Sequence, residues 1–127
     1  MTRFLFDPKF QAACFLLWCL VWAVLALFSV RPSIPDLPFT DDQLHFIAYG
    51  SMSFLAIFFC TRGRQLAFWA AATIAAGFLI ECAQIYIPTR DFQYSDLYSN
   101  VAGAMSGYLL AAFILFILVR PLRRALA

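Results

Sequence analysis

The sequence predicts an all-α integral membrane protein, a four-helix bundle with both termini on the cytoplasmic side, and three observations carry that expectation. Hydrophobic residues make up 64% of the chain and charged residues only 13%, with a mean hydropathy of +0.81, a composition that excludes an ordinary soluble domain. The apolar residues fall into four runs, at about 10–30, 41–60, 66–87 and 97–119, each long enough to cross a hydrocarbon core of ~30 Å. The basic residues sit between and beyond these runs and alternate in density from one side to the other. Four spans fill 127 residues, so the whole chain, 1–127, is expected to be a single transmembrane domain.

The first run follows Arg3 and Lys9 and has no ionisable residue of its own after Lys9. It is longer than the apolar region of a secretory leader, and Arg31-Pro32 stands where a small-residue cleavage site would be needed, so it reads as an uncleaved anchor. Pro32, Pro35 and Pro38 then favour an extended connector. Thr40-Asp41-Asp42-Gln43 matches a capping box, and both aspartates stand where the dipole of the following helix favours negative charge. On that second span Asp41, His45 and Tyr49 recur every four residues and share one face.

Thr61-Arg62-Gly63-Arg64-Gln65 reads as a tight basic turn, with Gly63 supplying the backbone freedom a short connection needs. In the third span Trp69 suits an interfacial position near the start, and Glu81 and Gln84 share a face near the end that Pro88 imposes. A loop with Arg90 and Asp91 follows. Ser95 or Asp96 is expected to cap the fourth span, along which Asp96, Asn100, Gly103 and Gly107 form a single stripe. The two glycines make a G-x3-G pair, a pattern that lets helices approach closely in membranes, so they are assigned to helix packing. Cys14, Cys19, Cys60 and Cys82 lie in apolar runs without metal or redox spacing and read as small buried residues.

Orientation follows from the cations. With the N-terminus inside, Arg3, Lys9, Arg62, Arg64, Arg120, Arg123 and Arg124 are cytoplasmic and only Arg31 and Arg90 are outside. Of the acids only Asp7 is then inside. Short loops between four spans make neighbours antiparallel, so Asp41, His45, Glu81, Gln84, Arg90, Asp96 and Asn100 are expected to gather in the outer half of the bundle. A charge at the centre of a spanning helix costs roughly 2.5–3.5 kcal/mol, and such residues usually face the interior and mark a site.

The ordered series D-x3-H-x3-Y at Asp41, His45 and Tyr49, followed by E-x2-Q-x3-P-x-R-x5-D-x3-N-x2-G-x3-G from Glu81 to Gly107, resembles the VanZ-like family of small bacterial membrane proteins. The resemblance covers residues 41–107. One departure is Asp42, where members commonly carry a lysine before the histidine. The resemblance implies a place in the bacterial cytoplasmic membrane and, for the family's namesake, a link to resistance to the glycopeptide teicoplanin. It brings no settled reaction.

The residues themselves suggest chemistry on a lipid headgroup. Histidine is the side chain that ordinarily changes charge closest to neutral pH, so His45, Glu81 and Asp96 are the expected acid/base groups. Asp41, Tyr49, Gln84, Arg90 and Asn100 are the expected substrate-binding groups, with the planar fork of Arg90 suited to a phosphate. That reading is a hydrolase or transferase acting on a phospholipid or a lipid-linked envelope precursor. A competing reading makes the same residues an internal ion-pair and hydrogen-bond network in a protein that binds an envelope lipid or a partner without chemistry. Ser95 and Ser99 are nucleophile candidates by proximity alone, as no G-x-S-x-G elbow is present. Transport is less attractive because the polar groups are confined to one half. One histidine with scattered acids at Asp41, Glu81 and Asp96 is a weak ligand signature, so no metal and no cofactor are assigned. The basic residues flank spans, which leaves nucleic-acid binding without support.

Overall fold

The computed structural model describes residues 7–28, 38–58, 60, 62–88 and 91–119, and these are helical with no strand among them. Four α-helices follow in order: α1 Pro8–Phe28, α2 Asp41–Leu55, α3 Gly63–Gln84 and α4 Tyr94–Phe113. A short 3-10 segment, Ala56–Phe58, extends α2, and a π-helical segment, Ile114–Val119, extends α4.

Each start has a local cause. Pro8 occupies the first position of α1, where its missing N–H costs nothing. Thr40 caps α2: its hydroxyl accepts from Gln43 N at 3.3 Å while Thr40 N donates to Gln43 Oε1 at 3.0 Å. From Arg62 to Gln65 the chain differs from the turn expected over 61–65, of which Thr61 lies outside the described residues. Gly63 already begins α3, Arg62 is the cap residue and donates its N–H to Gln65 Oε1 at 3.1 Å, and no described glycine has a positive φ. Gly63 is small for a different reason: a Cβ there would stand 2.7 Å from the tip of the Phe116 ring.

The other bounds shift by a few residues. The third apolar run was expected to stay helical to 87, but α3 ends at Gln84. Tyr86 N donates to Ala83 O and Ile87 N to Gln84 O, tight turns that wind the chain down before Pro88, whose ring disfavours α conformation in the residue ahead of it. Helix α4 begins at Tyr94 rather than 97, with Gln93 at the cap position. Ser95 and Asp96 therefore lie inside the first turn and neither caps it, because the Asp96 carboxylate is turned inward. Helix α2 closes at Leu55, and the 3-10 segment with a further Cys60 N to Ala56 O bond carries it toward the expected end at 60.

Helices α2 and α4 form the closest pair. A Cβ on Gly103 would collide with the Phe46 carbonyl oxygen and one on Gly107 with that of Gly50, so the two backbones touch along the glycine stripe. Helix α3 packs against both, with Gly77 under the Tyr49 ring, where a Cβ would lie 2.7 Å from Cε1. Helix α1 joins through Phe15, whose ring meets Trp69 edge-on at 4.4 Å. Trp69 is thus a packing residue between α1 and α3.

Polar side chains are buried beside an apolar core that includes Leu66, Met52 and Leu115, and many large apolar side chains are exposed. Glu81, Gln84, Asp96 and Asn100 are buried, while Leu16, Leu17, Leu20, Phe68, Leu79 and Leu109 are exposed. Helix α3 and the segment Tyr94–Ile117 are each long and apolar enough to cross a membrane. An apolar exterior with polar groups turned inward is what a lipid solvent selects, and it points to membrane association.

Candidate functional site

The N-terminal ends of α2 and α4 and the C-terminal part of α3 lie together, and the polar residues collect there. From α2 come Asp41, His45 and Tyr49, one helical turn apart. From α4 come Asp96 and Asn100, again one turn apart and both buried. The small residues of the α2–α4 seam let the two helices close until these side chains meet.

His45 is at the centre. Its Nδ1 lies 2.8 Å from Asn100 Oδ1. A carbonyl oxygen only accepts, so Nδ1 carries the proton and donates, and in the neutral ring Nε2 keeps its lone pair. That nitrogen faces Asp96 Oδ2 at 3.8 Å. Asp41, exposed at the head of α2, brings a carboxylate oxygen into the same space, and the ligand atoms of Asp41, His45 and Asp96 all lie within 4.8 Å of one another. The Tyr49 ring stacks parallel to His45, centroids 6.3 Å apart, and closes the inner side. Asn100 is fully buried, and its Nδ2 has no hydrogen-bond partner among the described residues.

The expected site residues divide into two groups. Asp41, His45, Tyr49, Asp96 and Asn100 form one connected cluster. Glu81 and Gln84 lie on the buried face of α3, fully enclosed, with Glu81 in electrostatic range of Tyr49. Arg90 lies outside the described residues. Ser95 is exposed and Ser99 half-buried, while Asp96 and Asn100 are the residues of that turn that face inward. Gly103 and Gly107 lie on the same stripe as Asp96 and Asn100, at the α2–α4 contact.

Gly50 and Gly77 carry as much of the site's geometry as the G-x3-G pair and were not singled out in the sequence. Gly50 presents its carbonyl to Gly107, and Gly77 makes room for Tyr49 beside Asn100. Gly50 directly follows Tyr49 in the sequence, but an isolated glycine in a helix has no spacing signal of its own.

Chemically the cluster offers an imidazole held in one tautomer by an amide, with a carboxylate beside its free nitrogen and a second carboxylate at the entrance. Such a set can take a proton, orient a bound hydroxyl or water, or hold a cation. Searches of curated proteins and of solved structures each find no match to the chain. The family model described as VanZ/LLP1 matches residues 14–117, a stretch that takes in all of α2, α3 and α4 and the whole His45 cluster. The chain therefore belongs to the VanZ/LLP1 family.

Proposed function

We propose that the chain is a multi-pass protein of the bacterial cytoplasmic membrane whose His45 cluster acts, by acid/base chemistry, on the headgroup of a phospholipid or lipid-linked envelope precursor. The observation that supports the reading is the tautomer set on His45: Nδ1–H donates to Asn100 Oδ1, which leaves Nε2 as a base next to Asp96. His45 then accepts a proton from a water or hydroxyl nucleophile, and Asp96 stabilises the imidazolium that results. Asp41, exposed at the mouth, is the member that a headgroup meets first. Both termini lie inside in this proposal, which puts the cluster at the outer leaflet.

The complete burial of Glu81 and Gln84 favours a second reading for part of the set. Those two residues serve as an internal support behind Tyr49, and the protein binds an envelope lipid without transforming it. A role in glycopeptide resistance belongs with this binding reading.

Lipid mass spectrometry separates the two. Cells producing wild type, His45→Asn and Glu81→Gln at equal folded levels are compared. A lipid species that changes with wild type and reverts in His45→Asn supports catalysis and names the substrate by its mass. Identical lipid profiles in all three, with one lipid co-purifying, support binding.

A further inference from the structure

We propose that Asp41, His45 and Asp96 form a binding site for one divalent metal ion of the zinc class, with Asn100 as the residue that orients the histidine. The inference rests on how the His45 ring is presented and uses the same cluster as the acid/base reading above, but gives the Nε2 lone pair another role: with an ion bound, Nε2 is a ligand rather than the proton acceptor, and the ion would activate the nucleophile in its place. Two carboxylates near each other would by themselves mean little. Here an imidazole nitrogen is included, and its lone pair is directed at them.

The geometry is specific. Asn100 Oδ1 accepts the Nδ1 proton at 2.8 Å, so Nε2 faces Asp96 Oδ2 as one acceptor toward another. At 3.8 Å the two atoms are too far apart for a hydrogen bond. With metal–nitrogen and metal–oxygen distances of roughly 2.0–2.2 Å, an ion between two ligands allows them to be up to about 4 Å apart, so a cation fits where a proton does not bridge. The Asp41 oxygen lies within 4.8 Å of the other two ligand atoms, and a small turn of this exposed side chain would bring it into range as the third donor, giving one nitrogen and two oxygens. Asp41 and His45 stand one turn apart on α2 and Asp96 comes from α4, so the site is closed by the pairing of two helices.

The outer contact matches what metal-binding histidines need. Such a histidine almost always gives its other N–H to a carbonyl or carboxylate, which fixes the ring and its tautomer. Asn100 is a buried amide whose Oδ1 accepts that N–H, and its N–H₂ group has no partner among the described residues, a donor available to an oxygen ligand of the ion. Three protein ligands leave positions open for water or for a headgroup phosphate oxygen. A mixed nitrogen and oxygen set favours Zn²⁺ or Mn²⁺ over Mg²⁺, which prefers oxygen ligands alone.

The test uses the full chain in detergent, stripped with chelator and dialysed against Zn²⁺ or Mg²⁺ at neutral pH, with bound metal measured by elemental mass spectrometry. The expected result is one Zn²⁺ per chain, not displaced by excess Mg²⁺. Affinity falls at least about 100-fold in His45→Ala and about 10–100-fold in Asn100→Ala, the range for loss of an orienting partner. Asp41→Asn is the variant that protects the test from misfolding: Asp41 is exposed, so helicity stays intact while zinc affinity falls at least about tenfold. No zinc in the folded wild type, or equal zinc in wild type, Asp41→Asn and His45→Ala, overturns the site. If His45→Asn changes the lipid pool while wild type holds no zinc, the metal site fails and the acid/base reading stands. Stoichiometric zinc with an unchanged lipid pool keeps the site and removes that reading.

Discussion

At the scale of the residue, the cluster depends on an amide more than on its charged members. Asn100 is fully buried, and its Oδ1 accepts a 2.8 Å hydrogen bond from His45 Nδ1. Replacing it with alanine leaves a largely enclosed imidazole N–H without this acceptor, and an orphaned donor in such a place costs about 1–3 kcal/mol, toward the lower end where water can reach it. Asn100→Ala is therefore expected to unfold at lower denaturant, by that amount, in a titration followed by circular dichroism. Ser95→Ala, near the start of the same helix and exposed, is expected to stay within about 0.5 kcal/mol of wild type. Equal stability of the two variants would mean that the amide does not hold the imidazole. The sequence made His45, Asp96 and Asn100 legible as polar residues at helical spacing inside apolar runs. It did not show that Asn100 is the residue that meets His45, because which of several inward residues touch depends on the rotation of each helix about its axis.

At the scale of the element, glycines decide how near the helices come, and they do so in two ways. On Gly107 a Cβ would strike the backbone carbonyl of Gly50, an atom that cannot move without the whole of α2. On Gly63 it would meet the end of the Phe116 ring, which can rotate away. Gly107→Ala is thus expected to lose about 1–3 kcal/mol by overpacking, whereas Gly63→Ala stays within about 1 kcal/mol of wild type, with the same denaturation as readout. Gly107→Ala also pushes α4 from α2 and should loosen the His45 cluster, which lies along the same seam. The G-x3-G spacing made half of this contact readable. Its other half, Gly50 on α2, was not, since a packing partner is defined by register between two helices and no local pattern records it. Helix starts and stops show the same division. The Thr40 capping box is entirely local and forms where its residues place it, but the start of α4 moved because Asp96 turns inward to face His45 and leaves its own first turn uncapped.

At the scale of the whole molecule, the two ends of the helices differ in chemistry, and that difference predicts orientation. Asp41, Asp96, Glu81 and Gln84 mark one end, at the starts of α2 and α4 and the finish of α3. Arg62 and Arg64 mark the other, at the junction of α2 and α3. Cytoplasmic loops retain lysine and arginine, so the Arg62–Arg64 junction is expected inside and the acidic end outside. If each helix reverses the direction of the last, four of them return the C-terminus to the side of the N-terminus. A fluorescent protein fused after Ala127 should then be bright, because it folds in the cytoplasm, and alkaline phosphatase inserted in the 31–39 connector should be active, because it matures outside. The α2 element is the one that makes this a real test. Its 15 α-helical residues and three-residue 3-10 extension reach about 28 Å at ~1.5 and ~2.0 Å per residue, just under a hydrocarbon core of ~30 Å. If α2 does not cross, the phosphatase at 31–39 stays active but a reporter placed at Arg64 also appears outside, and the acidic cluster is not confined to one leaflet. A bright cytoplasmic reporter at Arg64 together with active phosphatase at 31–39 requires α2 to span. In that arrangement Asp41 lies at the outer headgroups and His45, one turn deeper, lies where a headgroup phosphate and its ion can reach it.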